Sequence, residues 1–145
     1  MKLAPDSFDR LLQTDTRFNR FDDKFKLFLQ QLTFFNEPRC PLKGVVVEAA
    51  ADSRSVTIRY RTVTVTLRLL FQLNEQNSPT ARVEGTLEKP GDAKSIEKLG
   101  TFTFNPQGFT DFDPDADGDP IDLEGKALEI VVHFLTLALK HGAAS

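Results

Sequence analysis

The chain has 145 residues, of which 40% are hydrophobic and 27% are charged, and this predicts one globular domain over residues 1–145 with a sizeable core. Its net charge of −3 disfavours a nucleic-acid partner, because such proteins usually present a basic surface. A single cysteine, Cys40, excludes an internal disulfide and a cysteine-rich metal site, and with no signal-peptide pattern at the start it predicts a cytoplasmic protein.

The first predicted element is a helix over residues 6–35, because its apolar residues fall at helical spacing. One series recurs at every seventh position, and phenylalanines stand three places after three of its members: Leu11, Phe18, Phe25 and Leu32, then Phe21, Phe28 and Phe35. Asp15 is a candidate cap for a second start, so a break at residues 14–16 is the alternative to one continuous helix. We expect the stripe to pack on a sheet; the alternative is that part of it meets a partner.

Residues 44–104 have the pattern of strands, and we expect them over 44–51, 80–88 and 99–104, with a short strand end near 109–112. Between residues 56 and 73 the apolar positions change from even to odd numbers at Arg61 and Thr62. Either a bulge or a tight turn explains that change. We favour a bulge within one long, bent strand, because Arg-Thr lacks the Gly or Asn that two-residue hairpin turns prefer.

The last predicted element is a helix over residues 121–141 that ends at Gly142, with Asp119 as the cap and Pro120 at the first helical position. It is apolar around most of its circumference, so it needs contacts on two sides. One side is the sheet, and the other is the first helix or a second copy of the chain, which makes a homodimer one expectation. Its apolar run, residues 130–139, is too short to span a bilayer, so no membrane association is expected.

The order of elements predicts an α+β fold: an N-terminal helix, a curved antiparallel sheet of four or five strands, and a C-terminal helix packed on the sheet.

Seven carboxylates and no basic residue lie between residues 111 and 124. The spacing of acids around Gly118 matches a calcium-binding loop, with five candidate ligands: Asp113, Asp115, Asp117, Asp119 and Glu124. The flanks do not match an EF-hand, since Pro120 replaces the usual apolar residue and a strand precedes the loop. The alternative is that these acids only solvate a loop that leads into the start of the final helix, where negative charge is favourable.

Four arginines are expected on the outer face of the sheet and form a candidate partner surface: Arg59, Arg61, Arg68 and Arg82. Arginine and threonine on an open sheet could contact phosphates, but both are also common on the solvated face of an antiparallel sheet.

The sequence contains no Ser, His and Asp set, no glycine-rich phosphate loop and no metal-spaced His or Cys pair, so we expect no enzymatic activity and no cofactor except possible Ca²⁺. The function predicted is a non-catalytic protein-binding module of adaptor, chaperone, immunity or inhibitor type, which acts through a helix or sheet surface. One alternative is a calcium-binding regulatory domain that uses residues 113–124. The other is a small-ligand-binding or enzymatic cup formed by the curved sheet.

Overall fold

The computed structural model describes residues 5–88, 96–111 and 121–144. An antiparallel sheet of seven strands in chain order curves into a half-barrel, with one helix before it and one after it. Helix α1 spans Pro5–Gln31 and continues as a 3-10 helix over Leu32–Asn36. The strands are β1 (Val45–Ala49), β2 (Ser55–Tyr60), β3 (Val63–Leu73), β4 (Pro79–Glu88), β5 (Ile96–Phe104), β6 (Phe109–Thr110) and β7 (Ile121–Asp122), and helix α2 spans Ala127–Ala144.

The predicted α+β order of helix, antiparallel sheet and helix is confirmed, but the count of four or five strands is wrong. Two of the seven strands have only two residues each, so they left almost no periodic signal in the sequence. The third source of the error is the segment 56–73, which forms two strands and not one.

The predicted bulge at Arg61 and Thr62 is wrong, because these two residues form a tight turn between β2 and β3. Tyr60 pairs with Val63 across the turn, and Arg61 adopts a left-handed conformation with φ of 54°. Ile58 therefore faces Val65, so even positions of β2 and odd positions of β3 share the buried face. The change of phase in the sequence marks the two arms of a hairpin. A positive φ is sterically less favourable for Arg than for Gly or Asn.

The described sheet has its bulge in β5. Gly85 pairs with Gly100 and Thr86 pairs with Lys98, which leaves Leu99 as the extra residue on β5. Such a bulge increases local twist and helps the sheet curve around the helices.

The concave face of the half-barrel is filled by aromatic side chains from both helices. Phe21, Phe25 and Phe28 of α1 are buried, as is Phe134 of α2. Helix α1 is continuous through residues 14–16, so the alternative with a break there is excluded. The prediction that the stripe packs on a sheet is correct from Phe18 onwards.

Helix α2 starts at Ala127, so the predicted start at Ile121 is wrong, while the predicted cap Asp119 and the following Pro120 lie outside the described residues. Ile121 and Asp122 pair with β6 instead, and the chain then turns into the helix. Asp122 organises that turn: its Oδ1 accepts a hydrogen bond from the Glu124 N–H at 3.1 Å, and its backbone carbonyl accepts one from the Lys126 N–H at 2.9 Å. Pairing with a neighbouring strand removed these residues from the helix, which local helix-start signals do not anticipate.

Two glycines allow α2 to lie close to the sheet. A Cβ on Gly85 would lie 2.6 Å from Phe134 Cδ1 and still closer to Cε1, whereas a Cβ on Gly100 would lie 3.8 Å from the same ring. The ring of Phe134 therefore packs directly on the backbone of β4. The predicted packing of the C-terminal helix on the sheet is confirmed, and α2 also contacts α1.

Candidate functional site

The four arginines predicted as a partner surface lie on the outer face of β2–β4 and on the β2–β3 turn, interleaved with carboxylates. Arg59 is 3.1 Å from Glu48, and Arg82 is 4.0 Å from Glu84. Arg61 lies over the Tyr60 ring at 5.6 Å, and Arg68 is exposed on β3 opposite Glu84. This face is consequently of mixed charge, and its role as a partner surface stays a prediction.

The candidate calcium ligands Asp113, Asp115, Asp117 and Asp119 lie outside the described residues. Glu124 is described and is half-buried in the turn before α2. Within residues 5–88, 96–111 and 121–144 there is no group of three or more His, Cys, Asp or Glu side chains that could hold a metal ion. Calcium binding stays a prediction.

Exposed apolar side chains concentrate at one end of the half-barrel, where α1 begins. Phe8, Leu11 and Leu12 on the first turns of α1 are 61%, 63% and 52% exposed, and Leu73 at the end of β3 is 50% exposed. Phe109 in β6 is 48% exposed. Apolar side chains on a surface are unremarkable singly, but several at one end are typical of an interaction site.

An open groove of about 500 Å³ runs between α1 and the tip of the β3–β4 hairpin. Leu11, Leu73 and Pro79 provide its apolar surface. Its polar lining comes from both elements: Arg10, Gln13, Thr14 and Arg17 from α1, and Gln76 and Asn77 from the hairpin tip. We call this the α1–hairpin groove.

The wall formed by α1 is fixed to the sheet just beyond the groove. The Phe18 and Phe71 rings stack with centroids 4.7 Å apart. Asp22 accepts two hydrogen bonds from the Arg54 guanidinium, each 3.2 Å long, and this carboxylate raises the pKa of Arg54. The guanidinium also lies 5.4 Å from the Phe71 ring centroid. These contacts hold α1 in place while its preceding turns extend past the packed part of the sheet.

The wall formed by the hairpin tip is organised by Asn74. Its side-chain oxygen accepts hydrogen bonds from the backbone N–H groups of Gln76 and Ser78, both at 2.9 Å, and Asn77 takes the left-handed conformation with φ of 61°. An asparagine that bonds the backbone of its own turn is a recurrent way of fixing a loop. Both walls of the groove are therefore set by local contacts before anything binds.

A second open groove, of about 620 Å³, adjoins the first at Pro79 and reaches the β5–β6 turn. Asn105 closes this turn by accepting hydrogen bonds from the N–H groups of Gln107 and Phe109 at 3.0 Å. Asp111 Oδ1 accepts one from the Thr103 N–H at 2.7 Å. Asp111 thus bonds to the backbone of β5 next to the turn, and the exposed Phe109 ring adds to the apolar surface of this groove.

Among the described residues, the lining of the α1–hairpin groove contains no His, Cys, Asp or Glu. The sequence analysis identified Leu11 as a member of the apolar stripe of α1, but it did not indicate that Leu73 and Pro79 lie beside it. Only the pairing of β3 with β4 brings that strand end beside the helix.

His133, the remaining titratable group of interest, lies on α2 away from the groove. Burial, and to a lesser extent the nearby Lys140 ammonium, lower its pKa from the ordinary value.

Comparison with protein-family models, with curated protein sequences and with solved structures gave no match to this chain. Neither helix, over the residues described, combines the length and the apolar character needed to cross a membrane.

Proposed function

We propose that the chain is a non-catalytic protein-binding module whose partner docks in the α1–hairpin groove. The observation that carries the proposal is the pair Leu11 and Leu73, which are 63% and 50% exposed on the two walls of the groove. An exposed apolar pair on fixed walls is the arrangement expected of the centre of a protein interface.

Apolar burial supports binding at such a site. Burying a fully exposed leucine contributes about 1.5–3 kcal/mol, and Leu11 and Leu73, which are 63% and 50% exposed, each contribute a part of that when a partner covers them. The walls are already ordered by Asn74 and by the Arg54–Asp22 contact, so less entropy is lost on binding.

The groove also favours a binding module over a ligand cup. The concave face of the sheet, where a cup would open, is occupied by Phe21, Phe25, Phe28 and Phe134. The two grooves described above are open and lie at the rim of the half-barrel, a geometry that fits a protein surface better than an enclosed small molecule.

Site-specific photocrosslinking in the native host tests the proposal. A photoreactive residue replaces Gln76, an exposed residue of the groove, and in a second variant it replaces Ile96. Ile96 is a matched control, since it is exposed but lies at the opposite end of the β4–β5 pair. We expect a discrete protein adduct from position 76 and none from position 96. Equal labelling from both positions, or none from 76, contradicts the proposal.

The mass of the adduct separates a foreign partner from a second copy of this chain. A homodimer, the alternative predicted from the sequence, would give an adduct of twice 16.3 kDa. Light scattering of the purified chain then checks whether that species exists without crosslinking.

A further inference from the structure

A row of arginines borders the α1–hairpin groove. Arg10, Gln13, Arg17 and Arg20 stand at positions i, i+3, i+7 and i+10 of α1, so they share one face of the helix. Arg10 and Arg17 line the groove itself, and Gln13, Arg17 and Arg20 line a smaller open depression of about 310 Å³ that continues from it along α1. Among the described residues, neither lining contains an acidic side chain.

These three arginines are available to a partner. Within the described part of the chain none of them is in a salt bridge, whereas Arg54 is paired with Asp22 and Arg59 with Glu48. Asp15 lies on the opposite side of α1 from this row, and Asp9 lies about 80–100° around the helix from Arg17 and Arg10 at 100° per residue. The row is therefore a strip of positive charge on a chain whose net charge is −3.

We propose that the occupant of the groove is an amphipathic helix with an apolar stripe and a flanking row of carboxylates. This inference rests on the proposed function and names the chemistry of the partner. The leucine stripe of such a helix covers Leu11, Leu73 and Pro79, while its Glu or Asp side chains meet Arg10 and Arg17.

The spacing of the arginines suits a helical ligand. Seven residues along α1 advance about 10 Å, so Arg10 and Arg17 present two cations that far apart. Acids seven positions apart on a helix that lies along α1 have the same separation and stay on one side of its apolar stripe. Each guanidinium can take a carboxylate with two parallel hydrogen bonds.

Two other anionic partners fit the surface less well. A single-stranded nucleic acid needs aromatic stacking platforms, and the groove offers Leu11, Leu73 and Pro79. A flat anionic membrane could reach the arginines on one face of α1, but it does not fit into a groove between α1 and the hairpin tip. Both become outcomes of the test below.

Selection from a displayed library of helical peptides tests the inference. The peptides have about 18 residues, five helical turns, with a fixed leucine stripe and randomised flanks. On the wild-type chain we expect enriched peptides to carry an excess of Glu and Asp on one flank. Binding should weaken about tenfold in the double variant Arg10→Gln, Arg17→Gln, as two exposed ion pairs predict. It should stay unchanged in the control variant Lys98→Gln, Lys140→Gln, which removes two exposed cations from β5 and α2.

The outcomes separate this inference from the proposed function. Peptides that need Leu11 and Leu73 but show no acidic excess, or that bind the Arg10, Arg17 variant equally well, leave the docking site standing and overturn the charge preference. If no selected peptide depends on Leu11 and Leu73 for binding, both the charge preference and the proposed docking site are overturned. Competition by phosphatidylserine-containing vesicles or by an oligonucleotide, at affinities equal to those of the peptides, would also contradict the inference in favour of a lipid or nucleic-acid ligand.

Discussion

The two halves of α1 carry the same apolar spacing and meet different surroundings. In the second half Phe25 is wholly buried under the half-barrel, as is Leu32 at the start of the 3-10 helix that continues α1. In the first half Leu11, a member of the same seven-residue series, is 63% exposed and borders an open groove. Phe18, which stacks on Phe71, lies where the apolar series changes from exposed to buried.

The difference in burial between the two halves shows that the extent of the sheet, and not the apolar spacing of α1, determines which part of the stripe belongs to the core. Leu11 lies seven residues before Phe18, which is about 10 Å along the helix axis. The apolar face continues over that distance although the packed sheet does not. Because the apolar stripe of α1 extends beyond the part of the sheet that covers it, its first turns present an apolar surface that is fixed in position and open to a partner.

The largest expected contrast is between two leucines of the same series. Leu32→Ala should lower the free energy of unfolding by about 2–5 kcal/mol, because it leaves a cavity at a fully buried position. Leu11→Ala, the matched exposed change, should alter it by less than about 0.5 kcal/mol. Urea denaturation of both variants measures the contrast, and equal losses would break the division of α1 into a core half and a surface half.

The next contrast concerns the core half of the molecule, where α2 lies on the glycines of the sheet. Gly85→Ala should destabilise the fold by about 1–3 kcal/mol, because its methyl group overlaps the Phe134 ring. Gly100→Ala places its Cβ at ordinary contact distance from that ring and should cost less. Thermal unfolding ranks the two variants, and a larger effect at Gly100 would refute the close approach at Gly85.

A smaller effect is expected at the junction between the halves of α1. Arg54→Met keeps an apolar stem near Phe71 but removes the ion pair with Asp22, and should lower stability by about 0.5–1 kcal/mol. Hydrogen exchange should rise mainly in the turns of α1 around Asp22. Arg61→Met, which removes an exposed arginine without a carboxylate partner in the described chain, serves as the control. Equal exchange profiles in the two variants would show that the Arg54 contact does not hold the helix.

The smallest effect is a pH dependence in α2. Since burial lowers the pKa of His133, the unfolded chain takes up this proton at a higher pH than the folded chain does. Stability from this group is present above about pH 6.5 and is lost as the pH falls towards the folded pKa. His133→Gln should therefore show a smaller decrease in Tm between about pH 7 and 5. A slope identical to that of the wild type would contradict the lowered pKa.

The apolar spacing of residues 18–35 and the alternation of β2–β4 were sufficient to predict the helix, the antiparallel sheet and the core face of both. The turn at Arg61 was considered but not favoured, because its residues do not have the usual turn chemistry. The short strand end predicted near 109–112 corresponds to β6, whereas β7 was missed because a strand of two residues shows no periodicity. The start of α2 was misplaced because Ile121 and Asp122 pair with β6. The groove was out of reach, since it needs Leu73 of β3 beside Leu11 of α1, and only the tertiary fold places them together.

The most direct measurement of the docking account is photocrosslinking from position 76 in two double variants. Leu11→Ser, Leu73→Ser changes the groove, while Ile96→Ser, Leu139→Ser changes two exposed apolar residues elsewhere, 67% and 41% exposed. Both pairs are at the surface, so both variants should fold, which circular dichroism checks. We predict that the adduct disappears in the groove variant and persists in the control. An adduct that persists in the groove variant, or is lost equally in both, would contradict the account.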